Sequence, residues 1–294
     1  MQKNNLKHFI HLHFLVFIAG FTAVLGELIT NSSVSIVWHR MLIASILTIF
    51  FIFLKKKSLK INLQQLLKYS FLGLIIALHW ITFFEGIEQS NISVTLAMFS
   101  TAAFFTSFLE PLFFKRKIIF YEIILGLLVV IGVFLIFNAE FNFINGIILG
   151  ILSAFFASLF SVLNGVMIKN DSAIKISFYE FISGVIFITI YLILTENINT
   201  LHIENYLSLN YLYIFILGSV CTAYAFIASV YLLKFITPYS VVLTYNLEPI
   251  YGILLALLFF GDNEKMSFQF YIGLFLILSS VLINMYVKKT LNTG

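Results

Sequence analysis

Long apolar runs separated by short polar breaks govern this chain. They are His8–Leu28, Val34–Leu54, Tyr69–Glu88, Val94–Phe114, Ile118–Phe137, Ile144–Ile168, Ile174–Leu194, Tyr211–Leu233, Tyr239–Phe260 and Phe268–Val287. A helix needs ~20 apolar residues to cross a ~30 Å hydrocarbon core, and each of these ten runs is of that order. None alternates as a barrel strand does, and lipid tolerates no unpaired backbone groups, so each run predicts a helix. The longest polar interruptions, Lys55–Lys68 and Thr195–Asn210, are too short to hold a soluble domain. The pattern predicts an all-α polytopic membrane protein with ten transmembrane helices.

Composition agrees: 61% of the 294 residues are apolar and 10% charged, with a mean hydropathy of +1.04. A water-soluble domain could not bury so much apolar surface. Charge then orients the helices. With the N-terminus inside and ten crossings, every Lys and Arg falls in a cytoplasmic segment except Arg40, within the second run, and Lys265, outside. That segregation obeys the positive-inside rule and places both termini in the cytoplasm of a cell whose plasma (inner) membrane the chain spans repeatedly. The net charge of +4 therefore reflects orientation and not nucleic-acid binding. The first run lacks a small-residue cleavage site and reads as an uncleaved helix. Cys221 has no partner for a disulfide or a cysteine metal site, and no phosphate-binding loop supplies an ATPase motor, so neither metal nor cofactor is expected.

An odd number of crossings per half forces two halves into opposite orientations, which makes a five-plus-five repeat worth testing. Aligning Ser93-Val94 with Ser240-Val241 also superposes Phe113 on Phe260, Gly126-Leu127 on Gly273-Leu274 and Leu135-Ile136 on Leu282-Ile283. A second register sets Trp38-His39-Arg40 on Phe178-Tyr179-Glu180. Pairing Leu109-Glu110-Pro111 with Leu247-Glu248-Pro249 fails, because it puts a helix end on a helix centre. The expected units are residues 1–142 and 143–294, two inverted five-helix repeats.

The chain also resembles the EamA-type transporters of the drug/metabolite transporter superfamily, over nearly its whole length. The resemblance rests on Arg40 in HRMLIA, on TFFEGIEQSNISVTLAMFSTAAFFTSFLEPLFFKRK, and most specifically on TAYAFIASVYLLKFITPYSVVLTYNLEPIYGILLALLFFGDNE. Helix one reads Phe17-Ile18-Ala19-Gly20 where the family often has Trp-Gly, and Ala102 replaces a common proline. The resemblance implies a ten-helix inverted-repeat transporter that exports a small polar metabolite such as an amino acid.

Ionisable residues inside the membrane cost ~2.5–3.5 kcal/mol at the helix centre even on insertion scales, so each needs a reason to be there. Glu248 lies about ten residues into its run, ~15 Å deep at ~1.5 Å per residue. Pro249 frees the carbonyl of Tyr245, and Asn246 adds a polar group, which makes a locally broken midplane segment of the sort transporters use as sites. Glu248 fits a coupling or substrate-binding carboxyl, with a protonated group bonding a neighbouring helix as the alternative. Arg40, ~9 Å in from the outer side, either snorkels outward beside Trp38 or faces a cavity and attracts an anionic group. Glu180 mirrors it in the inner half as a gate or pair. His79 and Trp80 sit mid-membrane beside Thr82, suited to a proton relay, a substrate hydrogen bond or a single interhelical bond. Glu110 reads as an interfacial partner of Lys115-Arg116-Lys117. His8, His11 and His13 do not share a face and are not a metal site. Small residues from Gly146 to Ser161 form a packing stripe with Asn164 beside it. Phe83, Phe84, Tyr224 and Tyr245 are candidate cavity walls.

A membrane enzyme would need a nucleophile–base or paired-histidine constellation, which is absent from the motifs. The reading is a secondary transporter acting by alternating access on a small-molecule substrate, with a proton as candidate coupling partner, and drug efflux as the alternative.

Overall fold

The computed structural model describes residues 3–117, 120–203 and 207–291, and among these all regular structure is helical. The ends at Met1 and Gly294 and the start of the fifth run at Ile118 lie outside the described residues. In chain order the helices are α1 (Lys3–Leu28), α2 (Ser33–Leu54), α3 (Leu63–Glu88), α4 (Ile92–Phe99), α5 (Ala102–Phe114), α6 (Phe120–Ala139), α7 (Ile144–Met167), α8 (Ala173–Leu194), α9 (Leu209–Gly218), α10 (Ala225–Leu232), α11 (Pro238–Tyr245), α12 (Glu248–Phe260) and α13 (Phe268–Leu291). Among the described residues, eight stretches are long and apolar enough to cross a bilayer, and two apolar helices, Ile124–Ala139 and Phe268–Ser280, are shorter. This is a multi-pass helical membrane protein. Exposed Phe50, Phe53, Leu258 and Phe275 leave large apolar side chains facing outward, as a lipid-facing surface requires.

Four runs differ in detail from the expected helices. α3 begins at Leu63 and not at Tyr69, because Asn62 and Gln65 form a reciprocal cap: Gln65 N donates to Asn62 Oδ1 at 2.8 Å and Asn62 N to Gln65 Oε1 at 3.0 Å. The fourth run breaks between α4 and α5 at Ser100-Thr101. With Ala102 where proline could do this, the break falls on two hydroxyl side chains that bond their own helix's carbonyls: Ser100 Oγ to Leu96 O, 3.1 Å, and Thr101 Oγ1 to Met98 O, 2.7 Å. The ninth run breaks at Asn246-Leu247, immediately before Glu248-Pro249. Between α9 and α10 the chain takes a π turn over Ser219–Tyr224, where Thr222 Oγ1 donates to Leu217 O at 2.6 Å, five residues back.

Packing relies on small residues, since lipid supplies no hydrophobic drive for helices to associate. α7 carries the expected stripe: Gly146 lies on Ser90 and Gly150 on Met98, and Ser158 Oγ donates to Ala102 O at 2.6 Å. α6 and α13 pack together at the side, where a Cβ on Gly132 would come within 2.7 Å of Gly273 O, and one on Gly273 within 2.7 Å of Gly132 O. Backbone meets backbone there, so Gly273→Val should destabilise the protein by ~1–3 kcal/mol. Thermal unfolding in detergent would show this, and an unchanged midpoint would contradict the close crossing.

Candidate functional site

The two broken helix pairs cross at their breaks. Asn246 Nδ2 donates to the Ser100 carbonyl at 2.7 Å, so each interruption satisfies a polar group of the other. Beside the crossing lies a cavity of about 130 Å³. It is lined from α1, α2, α3, α7, the α9–α10 segment and both broken helices, and no described residue of α6, α8 or α13 contributes to its wall.

Six of the seven expected site residues face this cavity: Arg40, His79, Trp80, Tyr245, Asn246 and Glu248. Arg40 is 1% exposed and turned into the protein, not out toward an interface. Its Nε donates to Thr222 Oγ1 at 2.9 Å, and the guanidinium lies 3.9 Å from the Trp80 ring centroid and 5.4 Å from that of Phe84. The π turn is what brings Thr222 within reach. Among the described residues Arg40 Nη1 is buried with no hydrogen-bond partner, a cost that a ligand acceptor would relieve.

Among the described residues lining the cavity Glu248 is the one acid, and it opens α12, where the positive helix end favours an anion. Arg40 and Glu248 act on each other electrostatically without forming an ion pair among the described residues. The wall thus offers a separated cation and carboxyl. Tyr245 Oη shares a hydrogen with Ser229 Oγ at 2.6 Å. His79 Nδ1 lies 3.1 Å from Ser153 O and 2.9 Å from Ser153 Oγ; a bond to the carbonyl assigns the proton to Nδ1 and leaves Nε2 an acceptor in the neutral ring. Phe99 stacks on His79 at 5.5 Å and Phe160 lies at 5.4 Å, so the histidine is clamped among aromatic rings.

Glu180 lies outside this wall. It is fully buried on α8, where its backbone carbonyl sits against Gly73, and among the described residues neither carboxyl oxygen has a partner within 3.5 Å in hydrogen-bond geometry. Asn164, which does line the cavity, is its neighbour on the cavity side. Of the expected wall residues, Phe83 and Tyr245 are present; Phe84 lies behind the guanidinium and fills the space over Gly26. Tyr224 instead bonds His11 Nε2 at 2.9 Å in a separate groove. Sequence reasoning missed Thr222, Ser100, Phe160 and Phe226. Only Ser100-Thr101, two adjacent hydroxyls inside an apolar run, carried a usable signal.

A cavity between crossed, interrupted membrane helices, polar at a few points and aromatic elsewhere, defines a membrane protein built to hold a small solute. The chain belongs to the EamA-like transporter family, which it matches over residues 9–138 and 144–286, and so to the drug/metabolite transporter superfamily. No curated protein matches it. One solved structure, described only as "Crystal structure of protein", superposes with a TM-score of 0.69 at 13% identity, covering 95% of this chain and 97% of that one, a likeness of fold alone.

Proposed function

We propose that the protein is a secondary transporter that moves a small zwitterionic metabolite, an amino acid by class, across the plasma membrane by alternating access, with export as its direction. The carrying observation is the cavity at the crossing of two helix breaks, where Arg40 presents an unpartnered donor and Glu248 a carboxyl on the same wall. A zwitterion satisfies both groups at once. A cavity of about 130 Å³ favours such a solute over drug-like compounds, whose pockets run to roughly 300–1,000 Å³.

Two inverted repeats, 1–142 and 143–294, with ten crossings and both termini cytoplasmic, make the two faces of the cavity equivalent. The packing supports this. Exchanging the halves converts α3 on α7 into the α9–α10 segment on α1, α3 on α8 into that segment on α2, and α1 on α12 into α7 on α5, and all of these contacts occur. Two of the pairs that would map onto themselves, α2 with α8 and α6 with α13, pack together as well.

Reconstituted protein should exchange labelled for unlabelled amino acid in counterflow, and at least one zwitterion in an amino-acid panel should raise its unfolding temperature. Neither stabilisation nor exchange by any member would overturn the reading. Tags at Met1 and Gly294 should both be cytoplasmic, and a cysteine placed between Thr195 and Ile203 should react with an impermeant reagent from outside. Termini on opposite faces would sink the ten-crossing topology.

A further inference from the structure

Each broken helix pair has a carboxylate that grips the start of the other. Glu264 ends the turn after α12, yet it reaches back to α4: Ile92 N donates to its Oε1 at 3.0 Å, Ser93 N to its Oε2 at 2.9 Å, and Ser93 Oγ to Oε2 at 2.7 Å. It is 3% exposed in a turn whose other members are exposed. Gly261, at φ +58, takes the left-handed conformation that turns the chain back. At the opposite end, Glu110 of α5 accepts from Tyr239 N of α11 at 2.6 Å through Oε2, while Oε1 pairs with Arg116 Nε at 3.2 Å.

The two grips are matched in place and chemistry but not in sequence. In the register that aligns Ser93 with Ser240, Glu264 falls on Lys117, and the carboxylate that does the work stands about two turns earlier, at Glu110. A carboxylate on a helix N-terminus is thus present at both ends even though the aligned position has reversed its charge. Between the two ends, Asn246 and Ser100 join the helices at their breaks. The crossed pair is therefore tied at three points, with the cavity beside the middle one.

We infer that Glu264 and Glu110 are opposing gate clasps. Release of Glu264 from Ile92 and Ser93 parts the helices on the outer side of the cavity, release of Glu110 from Tyr239 parts them on the inner side, and the Asn246–Ser100 bond is the pivot. This rests on the alternating-access reading and the proposed orientation. It adds which contacts must break, and in which state.

The cavity carries its own reporter, since Cys221 is the single cysteine of the chain and lines the wall. Its labelling by a small charged methanethiosulfonate should be followed from each face, in right-side-out and inside-out vesicles. Wild-type labelling that is slowed by a transported amino acid tests the transporter reading alone, and indifference to every solute counts against that reading. The clasps are tested by the variants. Glu264→Gln should raise the labelling rate from outside by about tenfold and lower it from inside, because loss of the charged acceptor shifts the equilibrium by roughly one charge-assisted hydrogen bond; Glu110→Gln should do the reverse. Ser93→Ala, which removes one of three donors and no charge, should shift labelling in the same direction as Glu264→Gln by a smaller factor, and it carries the test if Glu264→Gln does not fold. Rates unchanged in the folded variants, or raised equally from both faces, would make these contacts ordinary helix caps and overturn the inference.

Discussion

Glu248→Gln is expected to abolish transport driven by an imposed pH gradient in proteoliposomes. Glu248 is the acidic group of the cavity wall, it stands at the helix break, and its carboxyl is buried. Glutamine keeps the shape and one acceptor oxygen but cannot exchange a proton. If the carboxyl couples transport to protons, the variant should lose gradient-driven uptake and retain counterflow. If it holds the ammonium of the solute, both should fail, with binding weakened about ten- to a hundredfold for the loss of a charged hydrogen bond of ~1.5–3 kcal/mol. Normal gradient-driven transport by Glu248→Gln would return the residue to a structural role between helices.

Arg40→Gln should weaken binding of an anionic or zwitterionic solute by about ten- to a hundredfold, since it removes both the cation and its unpartnered donor. Arg40→Lys separates charge from geometry. It keeps the positive charge but loses the planar fork and the face-on contact with Trp80, worth ~0.5–2 kcal/mol, so its affinity should fall between wild type and Arg40→Gln. Isothermal titration, run alongside unfolding of the solute-free protein, distinguishes a binding loss from a folding loss. Unaltered affinity together with a lower unfolding temperature would mean that Arg40 only ties α2 to Thr222.

The apolar runs by themselves determined that the chain is an all-helical membrane protein and where most helices lie, because span length and backbone satisfaction leave lipid-embedded chains few alternatives. Pro249 likewise marked the break before α12, since a missing N–H and a ring clash act on the preceding turn whatever surrounds them. Local chemistry stopped there. The matching break at Ser100-Thr101 carries no proline and depends on side-chain bonds and on the crossing partner Asn246. The direction of Arg40 was open in the sequence, because a long cationic side chain can snorkel or turn inward, and only the packing of Trp80 and the π turn at Thr222 decided it. Glu180 and Glu248 were both candidate site acids in the sequence. Which of them meets a cavity depends on the packing of neighbouring helices, a relation between distant segments that no local pattern encodes. Glu110 read as an interfacial charge for the same reason: its partner Tyr239, like the partners Ile92-Ser93 of Glu264, is contributed by the other half of the chain.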